Sequence, residues 1–250
     1  TFSLHDVLPM YGGSDQLTMS DHSWISSEAT DNFENLIDEF ETVTFNSNTG
    51  IAYVGNGDQT IAASYNAGLN NLSYYNLHID DGNGGNAVKT AEAALDINGT
   101  FIGTNDVYFN DAGLTHTVAG DYALENPSTT AQMTGTIHLD GADQNVPNNF
   151  FNHVIFGGTG TKSNTGVSLI VPSRGGYLTE NVVSGTWDID GNVTVNDGVT
   201  VDAGDFAIQL AGNWSDTGTG SLNHAATTTI NGTSDQVLSG NFYNLTLSNP

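Results

Sequence analysis

The sequence repeats itself at two levels, and this feature limits the possible folds more than any other. Within a long period, turn residues divide the chain into units of roughly 21 or 22 residues, at 100–120, 121–142, 143–163, 192–212 and 213–234. A longer piece, 164–191, fills the remaining place. The long period is about 92 residues, since three signals recur at that distance: Asn98-Gly99 returns as Asp190-Gly191, Gly120-Asp121-Tyr122 as Gly212-Asn213-Trp214, and Phe150-Phe151-Asn152 as Phe242-Tyr243-Asn244.

Each unit contains short runs in which apolar and polar residues alternate. Val193 and Val195 stand two positions apart, as do Ile208 and Leu210, and this alternation is typical of strands with one buried face. The runs are separated by segments such as 196–198, Asn-Asp-Gly, whose residues tolerate turn dihedral angles. Three short strands and three turns fit a unit of about 21 residues, as in one rung of a parallel β-helix.

We therefore predict an all-β fold, a parallel β-helix (β-solenoid) of about ten rungs that runs from residue 43 to the C-terminus. Its long repeat covers 100–191 and, in part, 192–250. Tandem β-sandwich domains are the alternative, because an immunoglobulin-like module also has about 90 residues. A sandwich gives no reason for a shorter period within the longer one. The predicted core includes Ile189, Val193, Val195, Val201, Ile208, Leu210, Ile230, Leu245 and Leu247.

Residues 1–42 do not share the repeat and are predicted to form an N-terminal cap or assembly segment with a short helix. The helix is expected within 27–40, where apolar residues follow helical spacing at Phe33, Leu36, Ile37 and Phe40. As a cap, the segment would cover the first open rung, which solenoids need at their ends. As an assembly segment, it would dock onto a neighbouring subunit. A second helical patch is expected at 89–95, in place of a strand.

The chain of 250 residues is strongly acidic, since 28 carboxylates against three basic residues give a formal net charge of −25. Nucleic acid and anionic membranes need Lys and Arg to neutralise phosphate, so neither is an expected partner. No apolar run approaches the roughly eighteen residues that cross a bilayer. Such acidity suits a salty or divalent-rich exterior. The absence of cysteine excludes disulfides and thiol catalysis.

Aspartates beside glycine turns predict a calcium site. Calcium takes about six to eight oxygen ligands, and closely spaced carboxylates supply them. Turn formation alone also explains these residues, and none of them matches an EF-hand loop or a glycine-rich nonapeptide array. Calcium is the one cofactor that the sequence suggests. The candidate ligands are Asp80, Asp81, Asp140, Asp143, Asp188 and Asp190.

Three residues are candidates for binding a ligand: Arg174, Tyr74 and Tyr243. Aromatic pairs followed by Asn recur at 74–76, 150–152 and 242–244, and exposed rings could stack on sugars. Neighbouring strand residues point to opposite faces, so at most one ring of each pair would be outside, and one ring in the core is the other interpretation. Arg174 lies in a long loop, 172–180; together with 81–86 this loop is the expected binding face for a glycan or a surface.

A polysaccharide-degrading enzyme on a β-helix is the alternative function. It would need two or three carboxylates within about 10 Å on one face, whereas the aspartates here recur with the repeat. The seven histidines are scattered, and no GxSxG, P-loop, dinucleotide or HExxH motif is present. We therefore expect a non-enzymatic structural or adhesive role.

The runs NVTVNDGVTVDAGDFAIQLAGNW and TTTINGTSDQVLSGNFYNLTLSN resemble modules repeated many times in very large surface proteins of gliding and marine bacteria, of the filamentous-haemagglutinin-like adhesin type. The resemblance covers 43–250 and is strongest from 187 onward. It implies export, a cell-surface or extracellular location, and an adhesive or structural role among other copies or neighbouring repeats. It carries over no catalytic residue. The chain also looks like a piece of a longer protein.

Overall fold

The computed structural model describes residues 2–3, 16–20, 23–28, 32–82, 86–105, 107–124, 133–147, 150–163, 167–171, 176–180 and 186–248. Within these residues the protein is all-β and is built mainly from parallel sheets, with one short helix. The sequence therefore predicted the fold class and the parallel direction of the strands correctly.

The helix α1 spans Asn32–Ile37. The strands in chain order are β1 Phe2–Ser3, β2 Gln16–Met19, β3 Trp24–Ser27, β4 Thr42–Phe45, β5 Gly50–Tyr53, β6 Gln59–Ile61, β7 Ser64–Tyr65, β8 Asn70–Asn71, β9 Ser73–Tyr74, β10 Asn76–Asp80, β11 Val88–Ala91, β12 Asp96–Ile97, β13 Phe101–Thr104, β14 Tyr108–Asn110, β15 Thr115–Val118, β16 Tyr122–Leu124, β17 Thr136–Leu139, β18 Gln144–Asn145, β19 Phe150–Phe151, β20 His153–Phe156, β21 Thr161–Ser163, β22 Val167–Val171, β23 Gly176–Glu180, β24 Thr186–Ile189, β25 Val193–Val195, β26 Thr200–Gly204, β27 Ala207–Leu210, β28 Trp214–Asp216, β29 Ser221–His224, β30 Thr227–Ile230, β31 Leu238–Ser239 and β32 Asn244–Leu247.

From β5 to β16 the chain visits three parallel sheets in turn. Strands β5, β10, β13 and β16 belong to a six-stranded sheet, β6, β11 and β14 to a three-stranded sheet, and β9, β12 and β15 to an eight-stranded sheet. Leu77 lies opposite both Ile51 and Phe101, and Phe101 lies opposite Tyr122. Each strand thus pairs with its equivalent one circuit later, so apolar side chains stack on apolar side chains.

From β17 onward the eight-stranded sheet continues, and the chain alternates between it and two further parallel sheets. These are the four-stranded sheet β18-β21-β26-β29 and the five-stranded sheet β19-β24-β27-β30-β32. Val193 lies opposite Trp214, and Thr200 lies opposite Ser221. These pairings confirm the predicted short period of roughly 21 residues in this part of the chain.

One circuit is longer than its neighbours. Val154 lies opposite Val193, and the chain between them contains the antiparallel hairpin β22–β23. The longer piece predicted at 164–191 therefore holds a hairpin. The prediction of a loop at 172–180 is partly wrong, because residues 176–180 form β23. Residues 172–175 lie outside the described residues.

The prediction of a helix at 89–95 is also wrong. Residues 88–91 form β11, in which Lys89 lies opposite Gln59 on one side and Phe109 on the other. Hydrogen bonding to two neighbouring strands outweighs the local preference of these residues for a helix.

Parallel pairing begins before residue 43. Strand β2 pairs with β4, and β3 pairs with β5, in which Trp24 lies opposite Gly50. The sequence boundary at residue 42 therefore does not coincide with an edge of these sheets. Helix α1 covers only part of its predicted range 27–40, in which Ser27 belongs to β3. The Phe33 ring packs edge-on against Tyr53 at 5.9 Å and stacks on Phe45 at 6.4 Å, so the helix contacts the core of its own chain.

A continuous hydrophobic core follows the inner faces of the sheets, from Met19 to Ile230. It includes the fully buried side chains of Trp187, Trp214 and Tyr53. Seven of the nine predicted core residues are buried, from Ile189 to Ile230. The prediction is wrong for Leu245 and Leu247, whose side chains are 45% and 71% exposed. Their strand β32 is the edge strand of its sheet, with no following strand among the described residues.

Candidate functional site

Aspartate and asparagine side chains link successive circuits of the chain. Asn192 Oδ1 accepts a 2.8 Å hydrogen bond from the backbone N–H of Asn213, and Asn213 Oδ1 accepts a 2.7 Å bond from that of Val237. These side chains satisfy backbone donors at turns, where sheet pairing is interrupted. We call the set of such acceptors the Asx ladder: Asp58, Asn76, Asp111, Asp121, Asp143, Asn192, Asp197 and Asn213.

Asp111 holds three backbone donors at once. Its Oδ1 accepts 2.9 Å bonds from the N–H groups of Gly113 and Thr134, and its Oδ2 accepts a 2.8 Å bond from that of Gly135. The side chain is fully buried. Burial of a carboxylate is costly unless donors or an opposite charge compensate it, and at this turn three backbone donors compensate Asp111.

Lys89 is fully buried, and its ammonium group closes a turn of the preceding circuit. Nζ donates to the carbonyls of Gly55 and Gly57 at 2.8 Å each and to Gln59 Oε1 at 2.7 Å. Burial lowers the pKa of Lys89 to about 8, against the opposing effect of the carboxylates of Asp81, Asp80 and Asp58. The Lys89 ammonium thus stabilises a turn and does not face solvent.

Lys162 repeats this arrangement. It lies opposite Gln144 in the parallel register, and Nζ donates to the carbonyls of Gly141 at 2.7 Å and Ala142 at 2.6 Å. Burial lowers its pKa to about 8 as well, while Asp140 and Asp143 act in the opposite direction. Each lysine lies one circuit after an Asp-Gln pair: Lys89 after the pair 58–59, and Lys162 after the pair 143–144.

A third Asp-Gln pair, at 235–236, forms the same kind of turn. Gln236 Nε2 donates to the carbonyl of Leu210 at 3.2 Å and also to that of Gly212. Gln144 Nε2 makes the matching bonds to Val118 and Gly120. This role of Gln was not predicted from the sequence, although the repeated Asp-Gln pair is a signal for it.

The predicted calcium ligands lie in three places. Asp80 and Asp81 are both buried, and both act electrostatically on Lys89. Asp140 and Asp143 act in the same way on Lys162, and Asp143 Oδ1 also accepts a 2.8 Å bond from the Thr161 N–H. Two of the predicted pairs therefore act electrostatically on a lysine ammonium group.

The third pair lies at the end of β24. Asp188 is half-buried and Asp190 is exposed. Burial raises the pKa of Asp188, and the neighbouring Asp190 charge raises it further. Among the described residues, no three His, Cys, Asp or Glu side chains converge in a way that could hold a metal ion.

Asp80 belongs to a buried network on β10 and β13. Its Oδ2 accepts hydrogen bonds from Thr104 Oγ1 at 2.7 Å and Asn105 Nδ2 at 2.9 Å, and its Oδ1 accepts one from the Gly82 N–H. His78 Nε2 lies 2.9 Å from Thr104 Oγ1 and 3.8 Å from Asp80 Oδ2. Since the Thr104 hydroxyl donates to Asp80, it accepts its hydrogen bond from His78.

Of the predicted ligand-binding residues, Tyr243 is 69% exposed, whereas Tyr74 is completely buried. The Tyr74 hydroxyl donates a 2.5 Å bond to the Ala62 carbonyl and lies 3.0 Å from the Tyr53 hydroxyl. The interpretation of Tyr74 as a surface ring is therefore wrong, because its ring and its hydroxyl are both used inside the core. Arg174 lies outside the described residues.

Comparisons with protein-family models, with curated proteins and with solved structures find no match to this chain. In the described residues, no helix has the length and apolar character needed to span a membrane.

Proposed function

We propose that this chain is a non-enzymatic structural or adhesive module of a bacterial surface protein or extracellular filament. The observation that carries the proposal is the Asx ladder. The acidic and amide side chains that could have carried chemistry recur along the chain, and at the turns they accept backbone hydrogen bonds from the next circuit. A scaffold needs such repeated links, whereas a catalytic site would use a single set of residues.

The finer fold belongs to the same proposal. We propose that the parallel sheets are the faces of one parallel β-helix of about ten rungs. The returning strand order and the stacked apolar residues support this fold. A solenoid gains length in proportion to its number of rungs, which suits a stalk or filament.

The edge formed by β31 and β32 supports assembly with another strand of the same repeat type. Val237, Tyr243 and Leu247 are each about 70% exposed there, and β32 continues the register of β30, in which Thr228 lies opposite Leu245. An exposed apolar edge strand is a template for further pairing. The partner is a neighbouring repeat or a second copy of the chain.

An extracellular location fits the net charge of −25, which counter-ions in a salty medium would screen. The proposed ligand is a glycan or a surface, contacted through Tyr243 and Arg174. Retention of the purified chain on insoluble polysaccharides tests this proposal, with Tyr243→Ala and Arg174→Ala as variants. We expect retention without release of reducing ends, and weaker retention of the variants. Release of reducing ends from a polysaccharide would instead support the hydrolase alternative.

A further inference from the structure

Asp81 is a buried carboxylate that accepts no hydrogen bond within the part of the chain that the structure describes. Its side chain is completely buried. Among the described residues, no group donates a hydrogen bond to its Oδ1 or its Oδ2. A buried carboxylate in this condition is costly, because it has lost its water and gained nothing in exchange. The contrast with Asp111, whose carboxylate accepts three backbone bonds, shows that this chain elsewhere provides donors for its buried charges.

The nearby lysine does not supply the missing donors. Lys89 acts on Asp81 electrostatically, but an ammonium group has three hydrogens. All three are directed to Gly55 O, Gly57 O and Gln59 Oε1, at 2.7–2.8 Å. The carboxylate of Asp80 is also engaged, with Gly82, Thr104 and Asn105. The Asp81 carboxylate therefore takes part neither in the hydrogen bonds of Lys89 nor in those of Asp80.

The charges around this turn do not balance. Three carboxylates, those of Asp81, Asp80 and Asp58, act on the single ammonium group of Lys89. A buried water molecule would give Asp81 a hydrogen bond but would leave the excess negative charge in place. A cation supplies both the missing contacts and the missing charge.

Further oxygen atoms lie against the same turn. Asn56 Oδ1 and the carbonyl oxygen of Val54 lie so close to Gly82 that a Cβ there would clash with the first and lie 3.1 Å from the second. Gly82 has a positive φ of 63°, which favours glycine. The turn therefore keeps a side-chain-free position beside amide and carbonyl oxygens, which are the ligands that hard cations prefer.

From these observations we propose that the turn 80–82 binds a hard divalent cation of the calcium type, with the Asp81 carboxylate as its principal ligand. Because no three carboxylate or imidazole groups converge among the described residues, the remaining ligands are amide, carbonyl and water oxygens. This proposal is independent of the proposed adhesive function.

The test compares the wild type with Asp81→Asn, which keeps the shape of the side chain and removes its charge. Asp205→Asn is the matched control, because it changes the net charge equally at an exposed position that is not a predicted calcium ligand. Melting temperatures are measured in EDTA and then in millimolar calcium chloride, at about 0.15 M salt to screen diffuse binding to the acidic surface. Equilibrium dialysis with radioactive calcium counts the bound ions.

We expect one saturable calcium ion per wild-type chain and a rise in melting temperature of about 5–10 °C at saturation. Asp205→Asn should keep both effects. Asp81→Asn should lose both, and in EDTA it should melt above the wild type because it lacks the uncompensated charge. An unchanged wild-type melting temperature, or an equal rise in Asp81→Asn, would overturn the proposal. If Asp81→Asn does not fold, equilibrium dialysis of the wild type tests the proposal by itself. A wild-type chain that binds no saturable calcium ion would also overturn the proposal.

Discussion

Lys89 lies directly opposite Gln59 in the parallel register, and its ammonium group donates a 2.7 Å hydrogen bond to Gln59 Oε1. Gln59 Oε1 also accepts a 2.9 Å bond from the Gly55 N–H, so the glutamine connects a turn to the next circuit. Gln144 and Lys162 share this register pairing, and the Lys162 ammonium group donates to the carbonyls of Gly141, Ala142 and Thr159. Both pairs lock a turn with a side chain from the strand that follows one circuit later.

A double-mutant cycle tests this lock with Gln59→Leu, Lys89→Met and the double variant. Each single substitution leaves buried polar atoms without partners, so each should reduce the free energy of unfolding by about 2–3 kcal/mol. The double variant should lose less than the sum, with a coupling of about 1–2 kcal/mol. Urea denaturation of the four proteins measures these values. Strictly additive effects would show that the two side chains act independently.

Removal of the Asp111 carboxylate should be costly. Asp111→Ala leaves three backbone N–H groups at one turn without an acceptor, so we expect a loss of about 3 kcal/mol or more. Asp205→Ala is the control, because Asp205 is an exposed turn residue, and such changes usually stay within about 0.5 kcal/mol. Equal melting temperatures of the two variants would argue against the structural role of the Asx ladder.

His116 should make stability depend on pH. Burial lowers its pKa below the usual 6.5, although its bond to Asp111 acts in the other direction. Nδ1 accepts a 3.0 Å bond from the Leu95 N–H and Nε2 lies 2.9 Å from the Asp111 carbonyl, an arrangement that needs the neutral ring.

Because the folded-state pKa lies below the unfolded one, the unfolded chain binds the proton first. The stabilising effect of neutral His116 is fully present above about pH 6.5, the unfolded-state pKa, and is lost as the pH falls from there through the lower folded-state pKa. The lost stability should approach about 1.4 kcal/mol per pH unit at most. Urea denaturation at several pH values checks this, with His116→Gln as the comparison. A variant with the same pH slope as the wild type would contradict the assignment.

The core prediction is tested by two substitutions on one strand. Ile208 is completely buried, whereas its neighbour Gln209 is exposed. Ile208→Asp places a charge in the core and should cost several kcal/mol, on the order of 4 or more. Gln209→Asp adds the same charge outside and should be nearly neutral. Circular dichroism during thermal melting separates the two. Similar melting temperatures would show that the strand faces have been assigned wrongly.

The repeat period and the core alternation could be predicted from the sequence because both follow from local patterns. Ile208 and Leu210 alternate with polar residues, and this alternation is sufficient to identify their buried face. The strand at Lys89 could not be predicted, because its hydrogen-bond partners lie a whole circuit away in both directions. Leu245 has the correct alternation but lies on an edge strand, which no local pattern reveals.

Less of the candidate site could be predicted from the sequence. The aspartates at turns were found, but their roles depend on what the next circuit presents. Asp143 accepts a backbone bond from Thr161, while Asp81, which also lies near a turn glycine, has no donor among the described residues. Likewise, the ring of Phe151 is buried and that of Tyr243 is exposed, although both are the second residue of the same triplet pattern. Stacking of distant segments decides these differences.

Paired cysteines test the central claim most directly, since the natural chain contains none. Three double variants join register partners on three different sheets: Thr194 with Ser215, Thr200 with Ser221, and Gln209 with Thr229. The side-chain oxygens of Thr200 and Ser221 are already 3.2 Å apart. A control joins Thr200 with Asn223, a slip of two residues that places the Cα atoms roughly 8 Å apart, too far for a disulfide.

Mass spectrometry after mild oxidation reads out the disulfides. A single parallel winding with a period of about 21 residues predicts intramolecular disulfides in all three register pairs and free thiols in the control. Free thiols in the register pairs of any one sheet, or a disulfide in the slipped pair, would contradict the account.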